Sequence, residues 1–383
     1  MDEIESIVKE KKISHEKKFT LKEFGGAFGD WGTLIPYIIG YISIVGLHPA
    51  GIFLCLVITN IVLGFRYNLP LPVQPQKTIG AVAISTQWTP NMVISTGFGT
   101  GIIWLLLGFS KKLNNVVKLI PIVSVRGIQL GLALLLGHNA IIMFSDNILL
   151  GFISVAIILI FLKSKKIPSA IILTIFGVIL IIVNGVFQSS SIWFSLPIFE
   201  IHIPTWDNLF WGMIYAGFGQ LFLTLTNVMV ATVILVRDLF PNKSDKIDAN
   251  SLSFNMGVLN TISPFVGGIP LCHGSGGLAA QYAFGARSGG SMILEGIMEI
   301  VLGLFFSNTL FIIFSEFPQA ILGAMLLYTA ILLVKVSFKE YNSKNLPIML
   351  ISAIFAYFFN ISIGFLVGLV LYYILKAMKY LPK

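Results

Sequence analysis

Pro72-Val73-Gln74-Pro75-Gln76-Lys77-Thr78-Ile79-Gly80-Ala81 sets two prolines, two glutamines and a lysine inside an otherwise apolar chain. Pro270-Leu271-Cys272-His273-Gly274-Ser275-Gly276-Gly277-Leu278-Ala279 repeats the device about half a chain later. Proline lacks an N–H and disfavours helix in the residue before it. Residues 69–76 and 267–273 are therefore expected to be extended, with a helix beginning after each. Irregular backbone is costly in lipid unless it lines a cavity. Paired interruptions at corresponding places in two halves mark a binding site near the midplane of a membrane.

The rest of the chain supplies the membrane. Of 383 residues, 56% are hydrophobic and 11% charged, with a mean hydropathy of +0.89. A soluble domain carries roughly 25% charged residues, so this is a polytopic membrane protein with little room for a large soluble domain. The net charge of +8 comes from lysines and arginines that flank apolar runs rather than form one patch, which excludes nucleic acid as a partner and leaves the lipid bilayer. The two cysteines, Cys55 and Cys272, cannot build a disulfide framework. No His, Cys and carboxylate set has metal-ligand spacing, and no Walker loop is present. Neither a metal, nor a cofactor, nor an enzymatic activity is expected. Residues 1–24 are too charged for a signal-peptide core and are expected to stay as a cytoplasmic segment.

Hydropathy gives apolar spans at 27–46, 49–65, 77–88, 92–109, 122–144, 148–162, 168–185, 208–235, 250–266, 274–285, 291–308, 310–334, 346–358 and 360–378. The two that follow the proline blocks are too short for a hydrocarbon core that takes roughly 20 residues. With the N-terminus inside, the basic loops near Arg66, Lys111, Lys163, Lys243, Arg287 and Lys339 all fall on one side. The stretches around His48, Trp88, Asp146, 186–206, Phe317 and Asn360 carry no Lys or Arg, as the positive-inside rule asks. Both termini are then cytoplasmic. Seven spans per half is an odd number, so the second half is expected to enter the membrane inverted. Ala27-Phe28-Gly29-Asp30 corresponds to Gly217-Phe218-Gly219-Gln220 at an offset of 190, and Pro72 to Pro270 at 198. An inverted repeat is the reading.

Two half-helix N-termini facing one point would offer free N–H groups and positive dipole ends to an anion. Gly274, Gly276 and Gly277 let backbone approach a ligand closely. Ser275, Thr78 and Gln74 add neutral donors, and Lys77 a charge. Gln220, Thr224 and Asn227 fall at spacings of four and three, on one helical face. They either line the site or join helices by hydrogen bonds. Asp30 either carries a coupled proton or caps a helix or glycine-rich turn. His273 is either a ligand group or a structural hydrogen-bonder. Glu295 and Glu299, four apart, are either proton-linked or paired with Arg287, with pairing the simpler reading. Arg126 reads as a snorkelling anchor.

Val73-Gln74-Pro75-Gln76-Lys77-Thr78-Ile79-Gly80-Ala81-Val82-Ala83, with Pro72 before it, resembles the PVQPMKSIAAVA signature of the molybdate transporter family, a relative of the SulP sulfate permeases. Cys272-His273-Gly274-Ser275-Gly276-Gly277-Leu278-Ala279 with Gln281-Tyr282 and Phe284-Gly285-Ala286-Arg287-Ser288-Gly289 is similar to its CHGAGGLAGQYRFGARSG signature. Gly26-Ala27-Phe28-Gly29-Asp30-Trp31-Gly32-Thr33 resembles its GALGDLGT segment, and Arg126-Gly127-Ile128-Gln129-Leu130-Gly131 a further one. Where the family often reads PQLPLT, this chain has Gly219-Gln220-Leu221-Phe222-Leu223-Thr224, without either proline. Many SulP permeases continue into a STAS domain, whereas this sequence stops at Lys383.

The resemblance implies an all-α polytopic membrane protein of fourteen transmembrane segments, two inverted repeats of seven with two half-helices. A core would comprise 25–110 and 207–308, and a gate 111–206 and 309–383. The core would move against the gate like an elevator. The implied substrate is a tetrahedral oxyanion, molybdate first and tungstate or sulfate next. It would be held by Gln74, Lys77, Thr78, Gln220, Thr224, Asn227, His273, Gly274, Ser275 and Gly276, with Asp30 as proton-coupling candidate. A cell-membrane location and a homodimer follow from the same fold. The alternatives are a sulfate-type permease, a passive anion channel, or a nucleobase–proton symporter. A symporter of that kind would want a carboxylate where Gln220 stands.

Overall fold

The computed structural model describes residues 17–378 apart from 111–112, 114, 116–118, 163, 165–166, 186–193, 195, 198 and 339–342. Most of the N-terminal segment, the basic residues Lys111, Lys112, Lys118, Lys163, Lys165, Lys166, Lys339, Lys379 and Lys383, and much of the 186–206 stretch lie outside the described residues.

The chain runs through α1 (Leu21–Ala27), α2 (Trp31–Ser43), α3 (Pro49–Tyr67), β1 (Val73–Pro75), α4 (Lys77–Ser85), α5 (Pro90–Ser110), α6 (Ile122–Ser145), α7 (Ile148–Phe161) and α8 (Ser169–Val183). It continues as α9 (Trp206–Leu239), α10 (Ala249–Ile262), β2 (Leu271–His273), α11 (Ser275–Ala283), α12 (Gly290–Phe305), α13 (Ser307–Ser315), α14 (Gln319–Ser337), α15 (Leu346–Phe358) and α16 (Ile361–Ala377). Among the described residues, α3, α5, α6, α9 and α14 are long and apolar enough to cross a membrane alone. The bent pair α12–α13 makes a sixth such candidate. The shorter apolar helices α7, α8, α15 and α16 pack beside them. Exposed Phe109, Phe152 and Ile160 face outward, which suits lipid and would be costly in water.

The stretch 27–46 is not broken: it is filled by α2, and the short helix α1 lies ahead of it, separated by Phe28–Asp30. One span breaks where the sequence reading ran it through. The stretch 310–334 is divided at Glu316–Pro318 into α13 and α14. Pro318 disfavours helix at Phe317 and serves as the cap of α14. The apolar composition on either side hid the break. Phe317 thus lies in a connection, as the charge pattern asked. The direction of the chain also turns by 77° between α12 and α13.

The all-α description needs one correction. The two proline blocks do not merely stay extended. They pair as a two-stranded antiparallel sheet, with Val73 opposite His273, Gln74 opposite Cys272 and Pro75 opposite Leu271. Strand pairing satisfies backbone groups that would otherwise be orphaned away from water. Asparagines on flanking helices complete the accounting. Asn60 of α3 accepts from the Val73 N–H at 3.3 Å. Asn260 of α10 accepts from the Leu271 N–H at 2.7 Å and donates to the Leu271 carbonyl at 2.8 Å. Because the strands are antiparallel, α4 and α11, nine residues each, leave the pair from opposite ends. Helices α6 and α14 pack on one another beside them, as do α5 with α10 and α3 with α12.

Candidate functional site

Each strand ends at a helix N-terminus whose cap residue, Gln76 for α4 and Gly274 for α11, makes no side-chain capping bond. The first N–H groups of a helix have no partner within it. In α4, Gln220 takes one of them. Its Oε1 accepts from the Thr78 N–H at 2.7 Å, and its Nε2 donates to Thr224 Oγ1 at 2.8 Å. Among the described residues, the N–H groups of Lys77, Ser275 and Gly276 have no protein acceptor.

These groups meet at a cavity of ≈ 150 Å³. Gln74, Lys77, Gln220, Thr224, Asn227, Gly274, Ser275 and Gly276 line it. Eight of the ten residues read from the sequence are thereby brought together. Thr78 and His273 are not in the lining. Thr78 contributes its amide to Gln220. His273 is 1% exposed and sits against the backbone of Leu71 and Pro72. Strand geometry accounts for this, since successive side chains point to opposite faces. Gln74 and its partner Cys272 face the cavity, while Val73 and its partner His273 face away.

Seven lining residues were not among the candidates read from the sequence: Pro75 and Cys272 of the strands, Gln129 of α6, Leu223 and Val228 of α9, and Leu333 and Val336 of α14. The period-2 alternation of the strand could have found Cys272. Gln129 gave only the weak signal of one polar residue in an apolar span, and the structure buries it, 1% exposed.

Helix α9 carries the polar face opposite the strands. Gly219-Gln220-Leu221-Phe222-Leu223-Thr224 is regular helix without the family's prolines. π-helical turns flank it at Met213–Gly217 and Leu225–Val230. Such turns are frequent at functional sites. The second contains Asn227, whose carbonyl accepts from Thr232 Oγ1 at 3.1 Å.

The cavity's electrostatics are simple. Lys77 is half-buried, and among the described residues no carboxylate lies within ion-pair distance of it. A cation in a largely apolar enclosure is costly unless a counter-charge meets it. The lining therefore favours an anion, with one ammonium and several neutral donors.

Behind Gln74 lies a buried acidic network. Asp30 occupies the cap position of α2 but makes no side-chain capping bond. Its Oδ2 accepts from Gln74 Nε2 at 3.3 Å and its Oδ1 from Gln281 Nε2 at 3.1 Å. The same Gln281 nitrogen donates to Glu295 Oε2 at 2.8 Å, and Trp31 Nε1 donates to Glu295 Oε1 at 2.9 Å. Asn60 Nδ2 donates to Glu299 at 3.2 Å. The pairing of Glu295 and Glu299 with Arg287 does not occur. Arg287 donates to the Tyr282 and Ala286 carbonyls and stacks on the Tyr282 ring. A guanidinium near the surface finds carbonyls and a ring face without burying its charge beside α12.

Residues 22–136 and 212–333 match the family described as molybdate transporter of the MFS superfamily. The chain is 31% identical to molybdate transporter 2 of Arabidopsis thaliana, over 92% of this chain and 87% of that protein. The chain belongs to the molybdate transporter family. Its relatives are transporters and not enzymes, and the multi-pass helical architecture fits membership. Among solved structures it is similar to SLC26A9 (TM-score 0.67, 12% identity, 94% of this chain). The chain spans 65% of the length of that structure. It is also similar to the transmembrane domain of the cyanobacterium bicarbonate transporter BicA (TM-score 0.64, 15% identity, 91% of this chain and 96% of that one). At such identity the likeness concerns the fold, and that fold is the one carried by this molybdate transporter family chain.

Proposed function

We propose that this chain is a secondary-active transporter of a tetrahedral oxyanion, with molybdate as substrate and tungstate and sulfate as its nearest competitors. The observation that carries the reading is the convergence of Lys77 and the open amides of Ser275 and Gly276 on one ≈ 150 Å³ cavity. The anion would rest between the ends of α4 and α11, with Gln74, Gln220, Thr224, Asn227 and Gln129 replacing part of its hydration shell. Gln220 in place of a carboxylate speaks against a nucleobase ligand.

The fourteen-segment inverted repeat belongs to this reading. It is supported by the antiparallel pairing of β1 with β2 and by Asn60 and Asn260 holding the two strands in the same manner. So does an elevator in which 25–110 and 207–308 move against 111–206 and 309–383. Its support is that the cavity takes its lining from both groups, with Gln129, Leu333 and Val336 on the second. Asp30 would carry the coupled proton, reporting on the anion through Gln74. A homodimer in the cell membrane with both termini cytoplasmic completes the proposal.

The test is molybdate uptake into liposomes carrying the purified protein, with excess sulfate or uracil, with and without a pH gradient. Saturable uptake that resists sulfate and follows the gradient is the expected result. Uptake abolished by sulfate would make the chain a broader sulfate-type permease. Uptake that ignores any gradient would make it a passive channel. Uracil transport without oxyanion transport would sink the anion site.

A further inference from the structure

We propose that Arg126 and the cavity it lines form an outer oxyanion station that loads the central site from one face of the membrane. The inference rests on the oxyanion-transport reading above. This second cavity measures ≈ 550 Å³, more than three times the central one. Arg126, Thr226, Asn227, Ser275 and Asp238 contribute its polar lining. Asn227 and Ser275 line both cavities, so the two are neighbours across a pair of polar side chains.

Arg126 joins them a second time. Its Nη1 donates to Gln129 Oε1 at 3.0 Å, and Gln129 lines the central cavity. The two residues stand three apart on α6, on one face of the helix. The outer cavity runs from buried Val125, 1% exposed, to Ile122 and Ile234, 56% and 50% exposed. Arg126 thus stands part-way along a graded path from surface to site. As a snorkelling anchor it would instead direct its guanidinium outward to the headgroups. Here the guanidinium points to a side chain of the central lining.

The chemistry suits a tetrahedral oxyanion. A guanidinium is permanently charged and offers paired donors that match two oxygens at once. In a wide cavity that reaches the surface its attraction is weakened by solvent screening. That concentrates an anion without trapping it, as conduction through successive sites requires. Asp238, exposed at the other end, places a like charge behind an anion that has reached Arg126. The smaller central cavity, with its backbone amides, is then where the anion exchanges water for protein donors.

The test is molybdate transport by oriented proteoliposomes, measured with substrate on the face into which the outer cavity opens and then on the opposite face. In Arg126→Gln the apparent KM on the outer-cavity face is expected to rise about tenfold. The KM on the opposite face should stay within about twofold. Raising ionic strength should weaken loading of the wild-type protein on that face and leave Arg126→Gln unaffected. Arg126→Lys should recover most of the wild-type behaviour. An equal rise on both faces would overturn the proposal, since Arg126 would then act only by holding Gln129. No change on either face would overturn it too. Should Arg126→Gln fail to assemble, Arg126→Lys and the salt dependence of the wild type on the two faces decide the matter by the same asymmetry. A wild-type protein that takes up no molybdate from either face would remove the transport reading itself, and this inference with it.

Discussion

Gln74 Nε2 lies 3.3 Å from Asp30 Oδ2 and 2.9 Å from Thr33 Oγ1, so a side chain that lines the proposed anion cavity also touches a buried acid. One amide group cannot serve an incoming oxyanion and an unchanged Asp30 without some adjustment, because its two N–H donors are finite. Binding at the cavity and the state of Asp30 are therefore linked through one residue. A buried, ionised carboxylate without a cation is costly, and Asp30 is 1% exposed with no salt bridge among the described residues. A proton is the simplest partner for it.

Asp30→Asn keeps the size and one acceptor oxygen while fixing the group as neutral. The expected outcome is saturable molybdate uptake with an affinity within about threefold of wild type and no response to an imposed pH gradient. The wild-type protein should accumulate more substrate when the receiving compartment is alkaline relative to the side that supplies the substrate. Asp30→Asn uptake that still follows the gradient would remove the acid from the coupling path.

Glu295 accepts from two donors, Trp31 Nε1 and Gln281 Nε2, and is fully buried. Glu295→Gln turns one of those acceptors into an NH₂ group facing an N–H. A buried unsatisfied donor costs about 1–3 kcal/mol. The thermal unfolding midpoint in detergent should fall by several degrees. Glu295→Leu, which leaves both donors unanswered, should fall further. Unchanged melting in both variants would show that the network contributes little to stability.

The two proline blocks made the backbone of the candidate site legible from the sequence, because proline dictates local backbone whatever surrounds it. Pro72 and Pro75, and Pro270, set the extended stretches and the starts of α4 and α11. Strand pairing was not legible, because only the fold brings residues 73–75 to 271–273. The outward turn of His273 and inward turn of Cys272 depend on that pairing. Gln129 was missed because its span reads as ordinary apolar helix. The partners of Glu295 were missed because Arg287 is nearer in sequence than Trp31, which is 264 positions away. Apolar composition on both sides likewise hid the break at Glu316–Pro318.

Gln220 gives a pair of substitutions with opposite logic. Gln220→Glu keeps an acceptor for the Thr78 N–H but sets a negative charge in the anion cavity. Gln220→Leu removes the acceptor and adds no charge. Both should weaken molybdate binding, Gln220→Leu by about 1.5–3 kcal/mol, the worth of a lost side-chain hydrogen bond to a charged ligand. Gln220→Glu should weaken it more, and its deficit should shrink as salt is raised. Calorimetry on the detergent-solubilised protein reads both. Equal, salt-independent losses would mean that Gln220 acts by packing alone.

Gly276 tests the geometry of the α11 end. A Cβ built there meets Lys77 Nζ at 3.8 Å, ordinary van der Waals contact. Gly276→Ala should therefore fold as the parent does and melt within about 0.5 kcal/mol of it. The added methyl group would nevertheless occupy space beside an amide that has no protein acceptor. Molybdate affinity should drop about tenfold or more. A smaller oxyanion should lose less than a larger one, so the ratio of sulfate to molybdate affinity should rise. Retained molybdate binding in a correctly folded Gly276→Ala protein would place the anion away from the α11 end.

Lys77 is the charge on which the anion reading depends most. It lines the cavity with no carboxylate at ion-pair distance among the described residues. Lys77→Gln keeps a donor and removes the charge. A hydrogen bond to a charged group is worth about 1.5–3 kcal/mol, so affinity for a dianion should fall by about tenfold to a hundredfold. The loss should be greater for divalent molybdate than for a monovalent anion of similar size, because the Coulomb term scales with the ligand's charge. Lys77→Arg keeps the charge but carries a bulkier planar head into a ≈ 150 Å³ cavity. It should bind more weakly than wild type while retaining the salt dependence that Lys77→Gln loses. If Lys77→Gln bound divalent and monovalent anions with unchanged preference, the lysine would lie outside the anion's field. The open amides of α11 and the side-chain donors would then have to hold the substrate alone.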